Sequence, residues 1–180
     1  MPIRARERLL QAAEELFYAE GIRAVGVDRL LTASGVGRAS FYRHFASKDA
    51  LVVDVLLAKG QRWRAELADA VAVRGNDPLA IFDVFGGQFG RSDFRGCAFI
   101  NAMVEAADWN SPAHRVAADH KHAVTVYLDG LLAAAGHGDH AVLAEQFMLL
   151  LDGAVVTALR DRSAEPARQA KAVAAALLAR

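Results

Sequence analysis

The 180-residue sequence holds one cysteine, four prolines and no surplus of either charge. A lone cysteine excludes an internal disulfide framework and any multi-cysteine zinc site. So few prolines leave long stretches free to be helical, because proline breaks a helix interior. Nowhere do apolar and polar residues alternate with period two over a useful length, which argues against strands. Uncharged apolar runs such as residues 147–151 fall far short of the roughly 20 residues of a membrane span. The opening MPIRARERLL has basic residues but no apolar core behind them, and Glu7, Glu14 and Glu15 follow. A cytoplasmic chain with no membrane partner is expected. No phosphate-binding glycine loop or dinucleotide fingerprint is present: Gly35-Val36-Gly37 lacks a preceding strand and a later glycine. No cofactor is expected.

Hydrophobic residues make up 54% and charged residues 23% of the chain, enough to bury a substantial core. The charge balance hides an asymmetry. Through Arg64 there are eleven basic and seven acidic residues, a net of four positive charges, and the remainder carries the opposite excess. A basic module joined to a larger acidic one points to an anionic partner for the first part.

The apolar periodicity is helical throughout. Leu9, Leu10, Ala13, Leu16 and Phe17 share one face of a first helix that stops at Gly21. A short helix over about 27–34 presents Val27, Leu30 and Leu31, and another carries Ala39, Phe41, Tyr42 and Phe45. Ser47 is placed as the N-cap of a long helix over about 48–73. Beyond the Gly75-Asn76-Asp77-Pro78 break, helices are expected over 79–89 and 99–109, separated by an irregular GRSDFRG segment at 90–96. Ser111 as N-cap and Pro112 at the first helical position open a seventh helix. Two more follow, one carrying Leu143 to Ala158 and the last over 167–179. The expectation is an all-α protein of about nine helices, without internal repeats.

The segment VDRLLTASGVGRASFYRHF (27–45) has the form of a helix-turn-helix, two short helices about a tight glycine-containing turn. Leu30 and Leu31 anchor the first helix, Gly35 reverses the chain, and Val36 plugs the angle. Phe41 and Phe45, four apart, hold the second helix down. Arg38, Ser40, Tyr42, Arg43 and His44 are left for the outer face and ends, a donor-rich set suited to phosphates and base edges.

With Phe17 and Gly21, Gly35-Val36, the run FYRHF and the following SKDAL, the chain resembles the tetracycline-repressor (TetR) family of bacterial transcriptional regulators over about residues 8–56. The resemblance implies an amino-terminal helix-turn-helix head, here 1–46, and a ligand-binding, dimerising body, here 47–180. It places Arg38, Ser40, Tyr42 and His44 where the recognition helix meets double-stranded DNA, with Ala39 and Arg43 beside them. Lys48 falls where a lysine meets a phosphate at a helix start, a place the helix dipole already favours for anions. Where many members carry a hydroxyl residue before the second helix, this chain has Val25-Gly26, so the backbone N–H of Gly26 or Val27 takes that part. The function implied is a repressor released from a palindromic operator by a small molecule. The alternative is a small-molecule binding protein of the same fold that has lost DNA recognition.

Taken singly, each of these residues has a plainer reading: exposed helix side chains for Tyr42 and His44, solvated charges for Arg38, Arg43 and Lys48. Their grouping within eleven positions favours the DNA reading. An apolar effector cavity is expected from Trp63, Phe82, Phe85, Phe89, Phe99, Met103, Trp109 and Tyr127, with Asn101, Glu105 and His120 as inward polar groups. Ordinary core is the plainer reading of each aromatic. A homodimer is expected through the last two helices, using Leu143, Phe147, Leu150, Ala154, Ala158, Val173, Ala174 and Leu177. His120 and His122, two apart on a helix, point to different sides and cannot chelate jointly, so no metal is expected. Ser40 and His44 lie one turn apart but lack a third partner and oxyanion donors, so no enzyme activity is expected.

Overall fold

A computed structural model describes residues 4–179. Among these residues it contains nine helices and no strand. They are α1 (Ala5–Glu20), α2 (Val27–Ser34), α3 (Arg38–His44), α4 (Lys48–Ala72), α5 (Ala80–Phe89), α6 (Ala98–Ala106), α7 (Pro112–Ala134), α8 (His140–Asp161) and α9 (Glu165–Leu178). The all-α expectation holds, with boundaries mostly within a residue or two of those read from periodicity.

The chain divides into two compact units: the segment ending at Gln61 with Ala98–Asp119, and Arg62–Cys97 with the segment from His120 onward. In the first unit, α1 packs on α2 and α3. Leu9, Ala13, Val25, Leu30, Phe41 and Leu51 are completely buried there, and Phe45 nearly so. Val36 is buried in the turn as expected, while Leu31 and Val27 are half-buried at the margin. Gly35 takes a left-handed conformation, φ 63° and ψ 28°, closing α2 without the steric penalty a side chain would meet there. The Ser47 hydroxyl accepts the Ala50 N–H at 3.1 Å and caps α4, and Ser111 caps α7 by accepting the His114 N–H at 3.2 Å.

The second unit is built on α5, α8 and α9, which pack on one another. Its core contains Phe82, Phe85, Phe89, Leu128, Leu132, Phe147 and Leu151. Phe82 and Phe147 meet edge-on with ring centroids 5.4 Å apart, and Trp63 and Phe85 at 5.2 Å. Such edge-to-face pairs add about 1 kcal/mol to the burial of each ring.

Three expectations need correction. The sixth helix ends at Ala106 rather than Trp109, because Ala107 turns to a left-handed φ of 59°. Trp109 is therefore thrown outward, 80% exposed against His114, and cannot line a cavity. Second, α8 is long and apolar enough, by length and composition, to cross a membrane, with a mean hydropathy of 1.7 over an 18-residue window. Gly and Ala between its larger apolar residues hid this from a reading of short runs. Its inner face, Leu143, Ala144, Phe147, Met148, Leu151, Ala154, Val155 and Ala158, is spent on the unit's own core.

Third, that same burial removes most of the expected dimer contacts. Leu143, Phe147, Ala154, Ala158 and Ala174 are buried within the protomer and have no surface to offer a partner. Leu150 and Leu177 are half-buried against the core, and Val173 is exposed. The outward apolar row of α8 is Val142, Leu149, Val156 and Leu159 instead.

Candidate nucleic-acid interface

Two interior rings fix how α3 lies. Phe41 and Phe45, 6.0 Å apart, face inward, so the intervening Tyr42, Arg43 and His44 must face out, and all three are exposed. Tyr42 stands edge-on to Phe41 at 5.1 Å with half its surface free, which fixes the phenol without hiding it. Ala39 is exposed beside it and Ser40 half-buried. Arg38, the first residue of α3, reaches back to an ion pair with Asp28 of α2. Both side chains are largely exposed, so the pair is weak and its guanidinium can exchange partners at little cost.

The entrance to α2 is built from backbone. Gly26 is its N-cap in an extended conformation, φ −82° and ψ 166°, with no side-chain cap. The turn before it is held from two sides. Lys48 Nζ donates to the carbonyls of Ile22 at 2.9 Å and Val25 at 3.1 Å. On the other side the Glu105 carboxylate of α6 accepts the Arg23 N–H at 2.8 Å and lies against Gly21. Lys48 therefore braces the turn that sets α2, a structural duty that spacing alone did not reveal. Further ion pairs fasten α1 to α4: Arg6 with Asp54 at 2.7 Å and Lys59 with Glu14 at 3.0 Å. Arg29 of α2 is tied to Glu20 at 2.8 Å, while Arg43 and His44 stand exposed on α3 with Tyr42 and Arg38.

The residues expected to line one aromatic cavity are assigned to different units. Trp63, Phe82, Phe85, Phe89, His120 and Tyr127 lie in the second. Phe82, Phe85 and Phe89 are packed core there, which is the plainer reading of each. Phe99, Asn101, Met103 and Glu105 lie in the first unit, where Phe99 is buried. Asn101 and Glu105 line a small void of about 30 Å³ with Phe17 and Tyr18. Glu105 also borders a larger cavity of about 600 Å³ that the sequence did not disclose. Its walls include Ile22, Val52, Ala102 and Pro112, together with Lys48, so both braces of the α1–α2 turn face it. The volume lies within the roughly 300–1,000 Å³ typical of small-molecule sites.

In the second unit His120 is buried, with Trp63 edge-on at 5.5 Å. Its Nδ1 lies 3.0 Å from Arg64 Nη1, and since a guanidinium can only donate, the imidazole accepts. Burial, reinforced by the positive charges of Arg64 and Lys121, pushes the His120 pKa down to about 4. Burial also raises that of Tyr127.

Fold and exposed helix together define an all-α helix-turn-helix protein. The profile described as "Bacterial regulatory proteins, tetR family" matches residues 9–55. SCO4454, a TetR-family transcriptional regulator from Streptomyces coelicolor, superimposes with a TM-score of 0.87 at 32% identity, over 97% of this chain and 94% of its own. The HTH-type transcriptional regulator YjdC of Escherichia coli is 26% identical over 88% of this chain and 85% of its own length. The corresponding regulator TcmR of Streptomyces glaucescens is 34% identical, over 49% of this chain and 38% of its own. The chain belongs to the TetR family of bacterial transcriptional regulators and binds DNA.

Proposed function

We propose that the protein is a homodimeric repressor in the cytoplasm, released from a near-palindromic operator by a small, largely apolar molecule. Residues 1–46 serve as the DNA-binding head and 47–180 as the body. The observation that carries the reading is the exposed face of α3, where Tyr42, Arg43 and His44 are turned out by two buried phenylalanines. Arg38, Ala39 and Ser40 enter the major groove with them, and the N-terminal end of α2, at Gly26 and Val27, offers its backbone N–H groups to a phosphate. Lys48 adds its remaining N–H and its charge. Two copies of α3 spaced by one DNA turn, roughly 34–36 Å, read a pseudo-palindrome.

The dimer forms through the outward row of α8 with Val173 of α9. Val142, Leu149 and Val156 recur every seven residues, the spacing that keeps a seam on one side of a helix. Gly153 lies among them with open space where a Cβ would be, so a partner helix can approach closely.

The effector takes the 600 Å³ cavity of the first unit. A molecule seated there competes with Glu105 for the Arg23 N–H and pushes on Ile22, so it favours a different setting of α2 and α3. Differential affinity for the two settings is what releases DNA. Selection of bound duplexes from a random pool, followed by a mobility-shift assay with the selected site, tests the reading. Enrichment of a two-fold symmetric sequence whose binding is lost with Tyr42→Ala supports it. Failure to enrich any sequence overturns it in favour of a binding protein that has lost DNA recognition.

A further inference from the structure

Arg8 is an exposed basic residue of α1 that the DNA-binding reading leaves idle. Its guanidinium lies against the turn between α2 and α3: Nη1 is 3.7 Å from where a Cβ would stand on Gly35. No carboxylate holds it there. The positions three and four away on α1 are Arg4, Ala5, Gln11 and Ala12, so no acidic residue shares its face of the helix. Asp28 of α2 is taken by Arg38, and Glu20 at the end of α1 by Arg29. Among the described residues the Arg8 side chain has no hydrogen bond or ion pair. Arg6, two positions earlier, differs. It pairs with Asp54 at 2.7 Å and lies 5.6 Å from the centre of the Phe45 ring. One arginine of α1 fastens the fold, and the other is a free cation at the α2–α3 turn.

The length of α2 gives that position its meaning. Its eight residues cover about 12 Å at 1.5 Å per residue. The major groove of B-DNA is also about 12 Å wide, with a phosphate backbone on either side. In a helix-turn-helix the first helix crosses the backbone while the second lies in the groove. With the Gly26 end of α2 at one backbone, the Gly35 end, and Arg8 with it, reaches the other.

We propose that Arg8 is a further DNA contact, binding a phosphate on the strand opposite the one met by the entrance to α2. A guanidinium presents a fork of N–H donors to phosphate oxygens and needs no base edge. The contact therefore adds affinity at every sequence and selectivity at none. Through it α1, whose inner face buries Leu9, Ala13 and Phe17, joins the interface as well as the core. The inference rests on DNA binding and goes beyond the repressor reading, since it needs neither an effector nor a symmetric operator.

The test is fluorescence anisotropy of the full-length protein with two labelled duplexes, one of mixed sequence and one carrying the site enriched from a random pool, over a series of salt concentrations. Arg8→Gln should weaken both duplexes by the same factor, on the order of five-fold near physiological salt. It should also make the slope of log affinity against log salt shallower by about one per bound protomer. Arg8→Lys keeps the charge and should recover most of that slope. The thermal midpoint and helical circular dichroism of both variants should match wild type. Arg6→Gln loses the same charge from the same helix, and should lower the midpoint while changing the slope less than Arg8→Gln does. Unchanged affinity and slope in Arg8→Gln overturns the proposal. So does a loss confined to the enriched site, or an equal change of slope in Arg6→Gln, which would trace to net charge alone. Wild-type protein that binds neither duplex overturns this contact and the DNA-binding reading together, whereas normal wild-type binding with an indifferent Arg8→Gln overturns the contact alone.

Discussion

At the scale of single residues, the head separates groups that hold it together from groups that face outward, and the two kinds should respond differently to substitution. Tyr42 stands edge-on to Phe41 with half its surface free. Tyr42→Ala should therefore lower operator affinity by ten-fold or more, of the order of the 1–3 kcal/mol of a single specific contact. Its thermal midpoint should stay within a degree or two of wild type. Lys48→Met keeps the stem but removes both bonds to the α1–α2 turn, so it should lose operator affinity and about 1 kcal/mol of stability together. Parallel calorimetry and shift assays distinguish the two patterns. Gly26 offers a gain instead. Nothing lies within 4 Å of where its Cβ would be, and its φ of −82° suits any residue. Gly26→Ser should supply the missing N-cap acceptor, raising stability by a few tenths of a kcal/mol and strengthening operator binding. Weaker operator binding in this variant would mean that the α2 entrance does not approach a phosphate.

His120 belongs to the same scale but makes a statement about pH. Its pKa is about 4 in the folded protein, against about 6.5 for an unperturbed imidazole. Below pH 6.5 the unfolded chain takes up a proton that the folded chain refuses, so stability falls as pH drops from about 6.5 towards 4. Between pH 6.5 and 5 most carboxylates remain ionised. A midpoint that declines across this window in the wild type and declines less in His120→Gln is the expected result.

At the scale of elements, the sequence announced most of what is found. Helix starts at Ser47 and Ser111 were readable because a hydroxyl at an N-cap has one local partner, the N–H three residues on. The turn at Gly35 and the inward pair Phe41 and Phe45 were readable for the same reason: the physics is local. What the sequence could not give is the partner of an apolar face. Leu143 and Phe147 look the same on a helical stripe whether they meet α5 and α9 or another protomer, and periodicity alone favoured the wrong choice. Nor does spacing place Glu105 beside Arg23, 82 positions away. The correction makes a sharp prediction. Leu149→Glu, on a side chain 75% exposed, should yield folded monomers by light scattering with the helical circular dichroism intact. Phe147→Asp, at a completely buried position, should instead fail to fold, since an unpaired buried charge has no compensating partner. Intact Leu149→Glu dimers would place the interface elsewhere.

For the whole molecule, a formal charge of zero conceals a basic amino-terminal third. Specific binding should therefore weaken steeply with salt, because each neutralised phosphate releases a condensed counterion. A plot of log affinity against log salt should have a clearly negative slope. A slope near zero would remove the electrostatic part of the reading while leaving the fold untouched. Glu105 extends the reading from statics to response: it serves the head through the Arg23 N–H and the 600 Å³ cavity through its position in the wall. Glu105→Gln retains a carbonyl acceptor but loses the charge, and should loosen the coupling between cavity occupancy and DNA release more than it weakens operator affinity itself.

The apolar row left bare along α8 has a consequence for the living cell. In the proposed dimer, a protomer made at low abundance is left with that row wetted and only half of the recognition surface in hand. Occupancy of DNA by the proposed dimer then rises roughly as the square of protein concentration, over a narrow span of expression level.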